Sequence, residues 1–387
     1  MKKLAIIGAE VTAQSYAVNA RMMGVETHGF AWAKGAVAKD DFDYFHPISI
    51  FEKDQIIEEC RKVGITGVVA STELTIPIAA YIAKELGLNG IPLEVANTIT
   101  DKYRNREVTK HVVGLYHPRY AYVSSVADAL VLDISYPVII KPVAEGGKRG
   151  VTVVHNREEL LGAMEYAASE SKRGYEVLIE EFLESGIECS VESLSYHGQH
   201  RVIQVTEKIS SGPPHCVELG HLQPARIDTA MRVQIQSVIA ESLTALGYTD
   251  GPCHTEIKII GGKIFLIEFN ARPGGDFITY PLVNLSTGYY HLQGAIDIAF
   301  DDFIFPKTEF LDNSSAGVCF VTQQTTFLQN VFADADKQSW CYAKNDIGQI
   351  PDLLHNDSTN MNYIIWRTRT GMPEELLSAY RSNGYII

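Results

Sequence analysis

The sequence predicts a mixed chain: a doubly wound α/β domain first, then a larger α+β region, then a small C-terminal domain. Three observations predict it. Strand-length apolar runs alternate with helix-length segments over residues 1 to about 97, the spacing of βα units. From residue 98 to about 305, strands come in pairs around glycine-rich links, with few helices between them. Asp301-Asp302 and Pro306 then punctuate the chain before a last block of mixed strands and helix.

Composition narrows the function classes. A chain of 387 residues, 46% hydrophobic and 21% charged, is long enough for two or three cored domains. The net charge of -14 argues against non-specific binding to nucleic acid or to anionic membrane surfaces. No apolar run is long enough to span a bilayer, and Met1-Lys2-Lys3 passes straight into a strand, so no leader is read. The six cysteines are scattered without a Cys-x-x-Cys pair. They read as thiols of a reducing cytosol, so a cytoplasmic protein is expected.

In the first domain, strand Lys3–Ile7 leads through Gly8-Ala9-Glu10 into a helix ending at Met23. Strands follow at Glu26–Ala31 and Gly67–Ser71, with helices at Glu52–Val63 and Leu74–Leu86. The first turn lacks Gly-x-Gly-x-x-Gly, which weakens a dinucleotide-binding reading.

Thr98 is the expected N-cap of the next helix, with Lys102 in its first turns. Lys102 is read either as a surface charge or as a phosphate contact. The strand Val138-Ile-Ile stops at Lys141-Pro142, and the loop Glu145-Gly146-Gly147-Lys148-Arg149-Gly150 follows. Such a loop lets backbone approach an anion, with Lys148 and Arg149 covering it, and Lys141 at the strand end is placed to reach a phosphate. It is not a Walker loop, because Gly-Lys-Ser/Thr is absent, and a plain hairpin loop is the bland alternative. After a helix over about 158–169, Tyr175–Glu192 reads as strand, short link and strand. Glu180, Glu181, Phe182 and Leu183 lead into the link and Glu188 follows it. Glu180, Glu181 and Glu184 are equally read as solvated acids. Arg201–Thr206 is a further strand, and Glu207–Ala225 is expected to be irregular. His215, Glu218 and His221 in it would orient a charged substrate. No cysteine partner there fits a zinc pattern. Asp228 or Thr229 caps a long helix ending near Gly247.

Pro252–Asp276 reads as a hairpin around Gly261-Gly262. Strict alternation places Ile264, Leu266, Glu268 and Asn270 on one face. A two-residue turn alone would set Glu256 across from Ile267, so an odd-length loop with a glycine bulge is expected instead. Glu256, Glu268 and Asn270 then converge as hard oxygen ligands suited to Mg²⁺, and Arg272 offers a fork for phosphate or acyl-phosphate. A surface hairpin with solvated acids is the bland reading. Gly274, Gly275 and Asp276 close the segment.

Taken in order, Lys102, the Lys141 strand with its glycine loop, the acidic link and the Glu…Glu-x-Asn-x-Arg hairpin resemble the ATP-grasp superfamily of carboxylate ligases. The resemblance covers roughly residues 1 to 305. It implies an ATP-grasp fold: a Rossmann-like domain at 1–97, a two-subdomain core at 98–305 with a lid over about 108–180, and a closing domain at 306–387. It implies that ATP lies between the subdomains. Lys102, Lys141, Gly146, Gly147 and Lys148 would meet phosphates, the Glu180–Leu183 backbone adenine, and Glu188 the ribose. Glu256, Glu268 and Asn270 would hold Mg²⁺, with Mn²⁺ an acceptable substitute, and Arg272 would steady an acyl-phosphate. Asn270–Asp276 and Pro213–His221 look most similar to L-amino acid ligases, which implies small-molecule carboxylate and amine substrates. His215, Glu218, His221, Arg272, Gly274, Gly275 and Asp276 would then face substrate, with Glu218 orienting the amine. Lys148 stands where many relatives have a small hydroxyl residue. Other chemistries of the superfamily, using bicarbonate or formate, and a non-catalytic nucleotide-binding module remain the alternatives. A homodimer would suit a cytosolic enzyme of this size.

Overall fold

A computed structural model describes the chain except residues 145, 147, 148, 172, 214, 215, 308–313, 352–360, 386 and 387. The described strands form three sheets. The first is parallel, in the order Tyr44–His46, Glu26–Phe30, Lys3–Ile7, Gly67–Ala70. Helices Val11–Met22, Lys53–Val63 and Ile76–Leu86 accompany it, as the βα alternation predicts. Strand Tyr44–His46 escaped the sequence reading because it is three residues long and carries no alternation.

A small antiparallel sheet lies in the segment expected to form a lid, in the order Tyr120–Val123, Val177–Glu181, Val138–Pro142, Thr152–Val154. Helix Leu160–Glu170 lays Leu160, Ala163, Met164 and Ala167 on it, a face spaced three and four residues apart.

The third sheet has nine strands. Leu115–Tyr116, Lys263–Asn270, Gly251–Ile260, Ile187–Tyr196, Gln199–Ser210 and Glu218–Gln223 lie in that order. Ser315–Val321, Asn362–Thr368 and Cys341–Asn345 continue it, so the C-terminal residues extend this sheet and do not build a separate one. Helix Thr229–Leu246, capped by the Asp228 side chain on the Met231 N–H at 2.7 Å, packs Ile235, Val238, Ile239 and Leu243 against Val191, Val205, Ile257 and Leu266.

Three expectations are corrected. Thr98 is not a cap: it lies inside helix Leu93–Ile99, and Asp101 caps helix Lys102–Thr109 by accepting from the Tyr103 and Arg104 N–H groups at 3.1 and 3.0 Å. Residues 207–225 are not irregular throughout. Gln199–Ser210 runs on past Thr206, and Glu218–Gln223 pairs with it. The hairpin turn is not odd-length. Ile260 pairs with Lys263 across Gly261 and Gly262, whose φ values are 55° and 77°, the left-handed pair of a type I′ turn. The extra residue sits further down, as a bulge at Ile267, and brings Glu256 opposite Glu268 and His254 opposite Asn270. The bulge also shifts the alternation. Ile264 and Leu266 pair with Ile259 and Ile257 in the core, while Glu268 and Asn270 share the other face with Phe265.

Candidate active site

The bulged hairpin supplies the centre of the site. Glu256 and Glu268 face each other, with Asn270 beside His254 one step along the ladder. Both carboxylates are ion-paired. The Lys102 ammonium lies 2.8 Å from Glu268, and the buried Lys208 ammonium lies 2.5 Å from Glu256 and 3.0 Å from Glu218. Burial alone would raise the Glu256 carboxyl, but Lys208 and His254 hold it well below the usual range. Burial alone would likewise lower Lys208; Glu218 and Glu256 push it well above its ordinary value. Two ammonium groups thus rest against the oxygens read as metal ligands. A site of two carboxylates and an amide that attracts positive charge fits a hard divalent cation such as Mg²⁺.

The row of charges extends on the other side of Glu256. His254 Nε2 is 3.4 Å from Glu256, and its Nδ1 is 2.5 Å from Glu192. Burial works against the His254 cation, yet Glu192 holds the imidazole up to about 9. Burial also works against the Glu192 anion, which His254 holds down to about 2. The other Glu192 oxygen accepts from the Gly274 N–H at 3.1 Å and the Thr279 hydroxyl at 2.9 Å. A Cβ on Gly274 would sit 2.7 Å from His254 Nδ1 and 2.8 Å from Glu192 Oε1, so only glycine lets the loop lie this close.

That loop delivers Asp276, at φ 48°, towards Glu218 and His221. One ligand atom from each of the three lies within 4.8 Å of the others, and His221 Nε2 is 3.2 Å from Glu218. Arg272, at the start of the loop, donates to the Pro273 carbonyl at 2.8 Å and pairs with Glu73, which comes from the first domain. Burial opposes the Glu73 anion, but Arg272 holds that carboxyl at about 2.

On the lid side, buried Glu180 is clamped between Arg106 and Lys141, the latter at 2.5 Å. The two cations overcome burial and hold Glu180 below its ordinary value. Arg106 also donates at 2.8 Å to the carbonyl of Ile267, the bulged residue. The Lys102 N–H donates to Val143 O at 2.8 Å, tying the helix to the end of the Lys141 strand.

The structure thus gathers Lys102, Glu256, Glu268 and Asn270 in one place, and Glu218, His221 and Asp276 in another, with Lys208 between them. Gly146 lies against Glu73. In the acidic link, the N–H groups of Glu181 and Phe182 are taken by the carbonyls of Arg119 and Pro137, and the Leu183 carbonyl accepts from Lys258 at 2.6 Å. Glu181 pairs with Arg119 at 3.4 Å, and Glu188 faces Lys258 across the ladder. Gly147, Lys148 and His215 fall outside the described residues. Sequence reasoning missed Glu73, Arg106, Glu192, His254 and Lys208 as site residues. Lys208 had no signal, because Val205-Thr206-Glu207-Lys208-Ile209 does not alternate apolar with polar; Glu73 and Glu192 had none either, since their partners are distant in sequence.

A family profile for the ATP-grasp domain matches residues 134–280, the span from the lid strand through the hairpin and the Asp276 loop. That span is an ATP-grasp domain. Its solved ATP-grasp neighbours include the L-amino acid ligase from Bacillus licheniformis, 23% identical, with a TM-score of 0.80 over 99% of this chain and 96% of that one. The carbamoyl phosphate synthase large chain of Thermotoga petrophila is 26% identical over 63% of this chain, which spans only 22% of that relative's length. A formate-dependent phosphoribosylglycinamide formyltransferase from Trichormus variabilis is 21% identical over 84% of this chain and 82% of its own. No described helix is long and apolar enough to cross a membrane.

Proposed function

We propose that this ATP-grasp protein is an ADP-forming carboxylate–amine ligase acting on small molecules in the cytoplasm. The observation that carries the reading is the Lys208 ammonium shared by Glu256 and Glu218, at 2.5 and 3.0 Å. It sets the carboxylate fit for Mg²⁺ directly beside the acid fit for an amine, so an activated acyl group made at one is met by the nucleophile held at the other. The overall likeness to the L-amino acid ligase supports the same assignment of substrates, an amino-acid carboxylate and an amine.

In this reading the substrate carboxylate oxygen attacks the γ-phosphorus of ATP, and the bond to the β-phosphate oxygen breaks to release ADP. Bound Mg²⁺ would offset charge on the phosphates. Lys102 and Lys141 add to that neutralisation, and Glu256, Glu268 and Asn270 would hold the cation. The amine nitrogen then attacks the acyl-phosphate carbonyl carbon, a C–N bond replaces the C–O bond, and inorganic phosphate departs. Arg272 faces the oxyanion, and Glu218 takes the proton from the amine. The lid over 108–180 covers the acyl-phosphate from water.

The test is ADP release with Mg-ATP across paired carboxylates and amines, with mass spectrometry of the products. The expected result is ADP and an amide only when both partners are present, with Glu268→Gln lowering turnover at least ~100-fold, as loss of a group acting on the transferring phosphoryl predicts. Wild-type turnover in Glu268→Gln would remove the metal assignment. A second reading is a bicarbonate- or formate-dependent reaction, and the formate-dependent formyltransferase named above supports its formate form. ADP release that needs bicarbonate or formate would favour it.

A further inference from the structure

The pair Glu73–Arg272 joins two parts of the fold at the point where Gly146 approaches. Glu73 opens a short helical turn after strand Gly67–Ala70 of the first sheet, and Arg272 ends the bulged hairpin of the large sheet. The third component is Gly146 of the glycine-rich loop, where an added Cβ would lie 2.7 Å from the Glu73 carboxyl carbon. The guanidinium is only partly used. Its Nη1 donates to Pro273 O, its Nη2 meets Glu73, and its buried Nε has no hydrogen-bond partner among the described residues. An open buried donor is costly to leave unpaired, as expected of a group kept for an acceptor that arrives later.

We propose that Glu73 is the specificity residue that reads the α-ammonium group of the carboxylate substrate, while Arg272 takes its carboxylate. The inference rests on the ligase reading and extends it by naming the group that separates an amino acid from a plain acid. An α-amino acid carries its two charges on neighbouring carbons, so a carboxylate on the open edge of Arg272 sets the ammonium beside the acid already touching that arginine. Ion pairing with Arg272 keeps Glu73 ionised, and its 24% side-chain exposure leaves it open to a ligand. The acids at Glu218 and Asp276 stand on the other side of Lys208, where the incoming amine is assigned. With the zwitterion bound on the Nε side, Glu73 and Arg272 each keep an opposite charge.

The experiment compares L-alanine with propionate, and other L-α-amino acids with their des-amino counterparts, using hydroxylamine as the common nucleophile and ADP release as readout. In Glu73→Gln, the ratio of kcat/KM for the amino acid over its des-amino acid drops by about 10- to 100-fold, the size of one lost charge-assisted contact. An unchanged ratio, with both substrates weakened alike, would mean that Glu73 only holds Arg272 and would overturn the proposal. Calorimetry of L-amino acids into the protein with Mg²⁺ and a non-hydrolysable ATP analogue reads the same contact without turnover. Binding that is at least about tenfold weaker in Glu73→Gln supports the proposal even if no carboxylate yields ADP, which would count against the ligase reading alone. Equal binding, or none to either protein, overturns it.

Discussion

At the scale of residues, the site is a row of opposite charges, each buried one answered by the next. Glu192, His254, Glu256, Lys208 and Glu218 alternate in sign over contacts of 2.5 to 3.4 Å. Such pairs are weak evidence for stability, yet removing one member leaves its neighbours uncompensated. Lys208→Met is therefore expected to destabilise the fold by about 3–5 kcal/mol, because two carboxylates lose their shared cation. Urea unfolding measures it, and a midpoint equal to wild type would refute the account. The sequence exposed the members of this row unevenly. Glu256, Glu268 and Asn270 were legible because strand alternation puts polar residues where a core wants apolar ones. Lys141 and Glu180 were each noticed, but their pairing was not, because it joins strands whose register no local pattern states. His254 was not legible as part of the row, since its partner Glu192 lies sixty-two positions away.

At the scale of elements, one bulge decides which side chains reach the site. With the two-residue turn alone, Glu256 would face Ile267; the extra residue at 267 substitutes Glu268 and leaves a carbonyl that Arg106 uses. The sequence gives apolar alternation on both arms, so the hairpin is legible and the glycines mark its turn. Where the surplus residue lodges depends on the Arg106 contact and on packing of the core face, which the strand pattern does not contain. The turn itself is testable. Gly262, at φ 77°, is expected to lose about 1–2 kcal/mol on replacement by alanine, whereas Gly261→Asn is close to neutral because Asn-Gly suits a type I′ turn. Thermal unfolding of both variants checks this, and equal losses would contradict the turn assignment.

At the scale of the whole molecule, the first parallel sheet was legible from its βα rhythm, and the lid from its paired strands. The nine-stranded sheet was not, because its neighbours are set by long-range pairing and the C-terminal strands join it far from their sequence position. Buried histidines give the molecule a pH response. Burial lowers His117 and His291 to about 4, so both are neutral in the fold and protonate in the unfolded chain near 6.5. The unfolded state then binds more protons between these values, and stability is full above pH ~6.5 and lost as pH falls towards 4. His254, held up to about 9, acts in the opposite sense and above that window. The urea midpoint is expected to fall from pH 7 to pH 5, and less steeply in the double variant His117→Gln, His291→Gln. An identical slope in that variant would discount both histidines.

The strand Glu218–Gln223, which carries Glu218 and His221, is flanked on one side by Gln199–Ser210 and on the other by Ser315–Val321. A chain stopped at residue 305 would keep the hairpin, the lid and Arg272. It would also strip one side of that strand and present an unpaired ladder of amide and carbonyl groups, next to Leu219 and Leu222. An open, apolar strand edge recruits other chains. The shortened protein would therefore be expected to self-associate and sediment before its chemistry could be assayed, and a soluble monomer of that length would show that the last eighty residues are dispensable to the sheet.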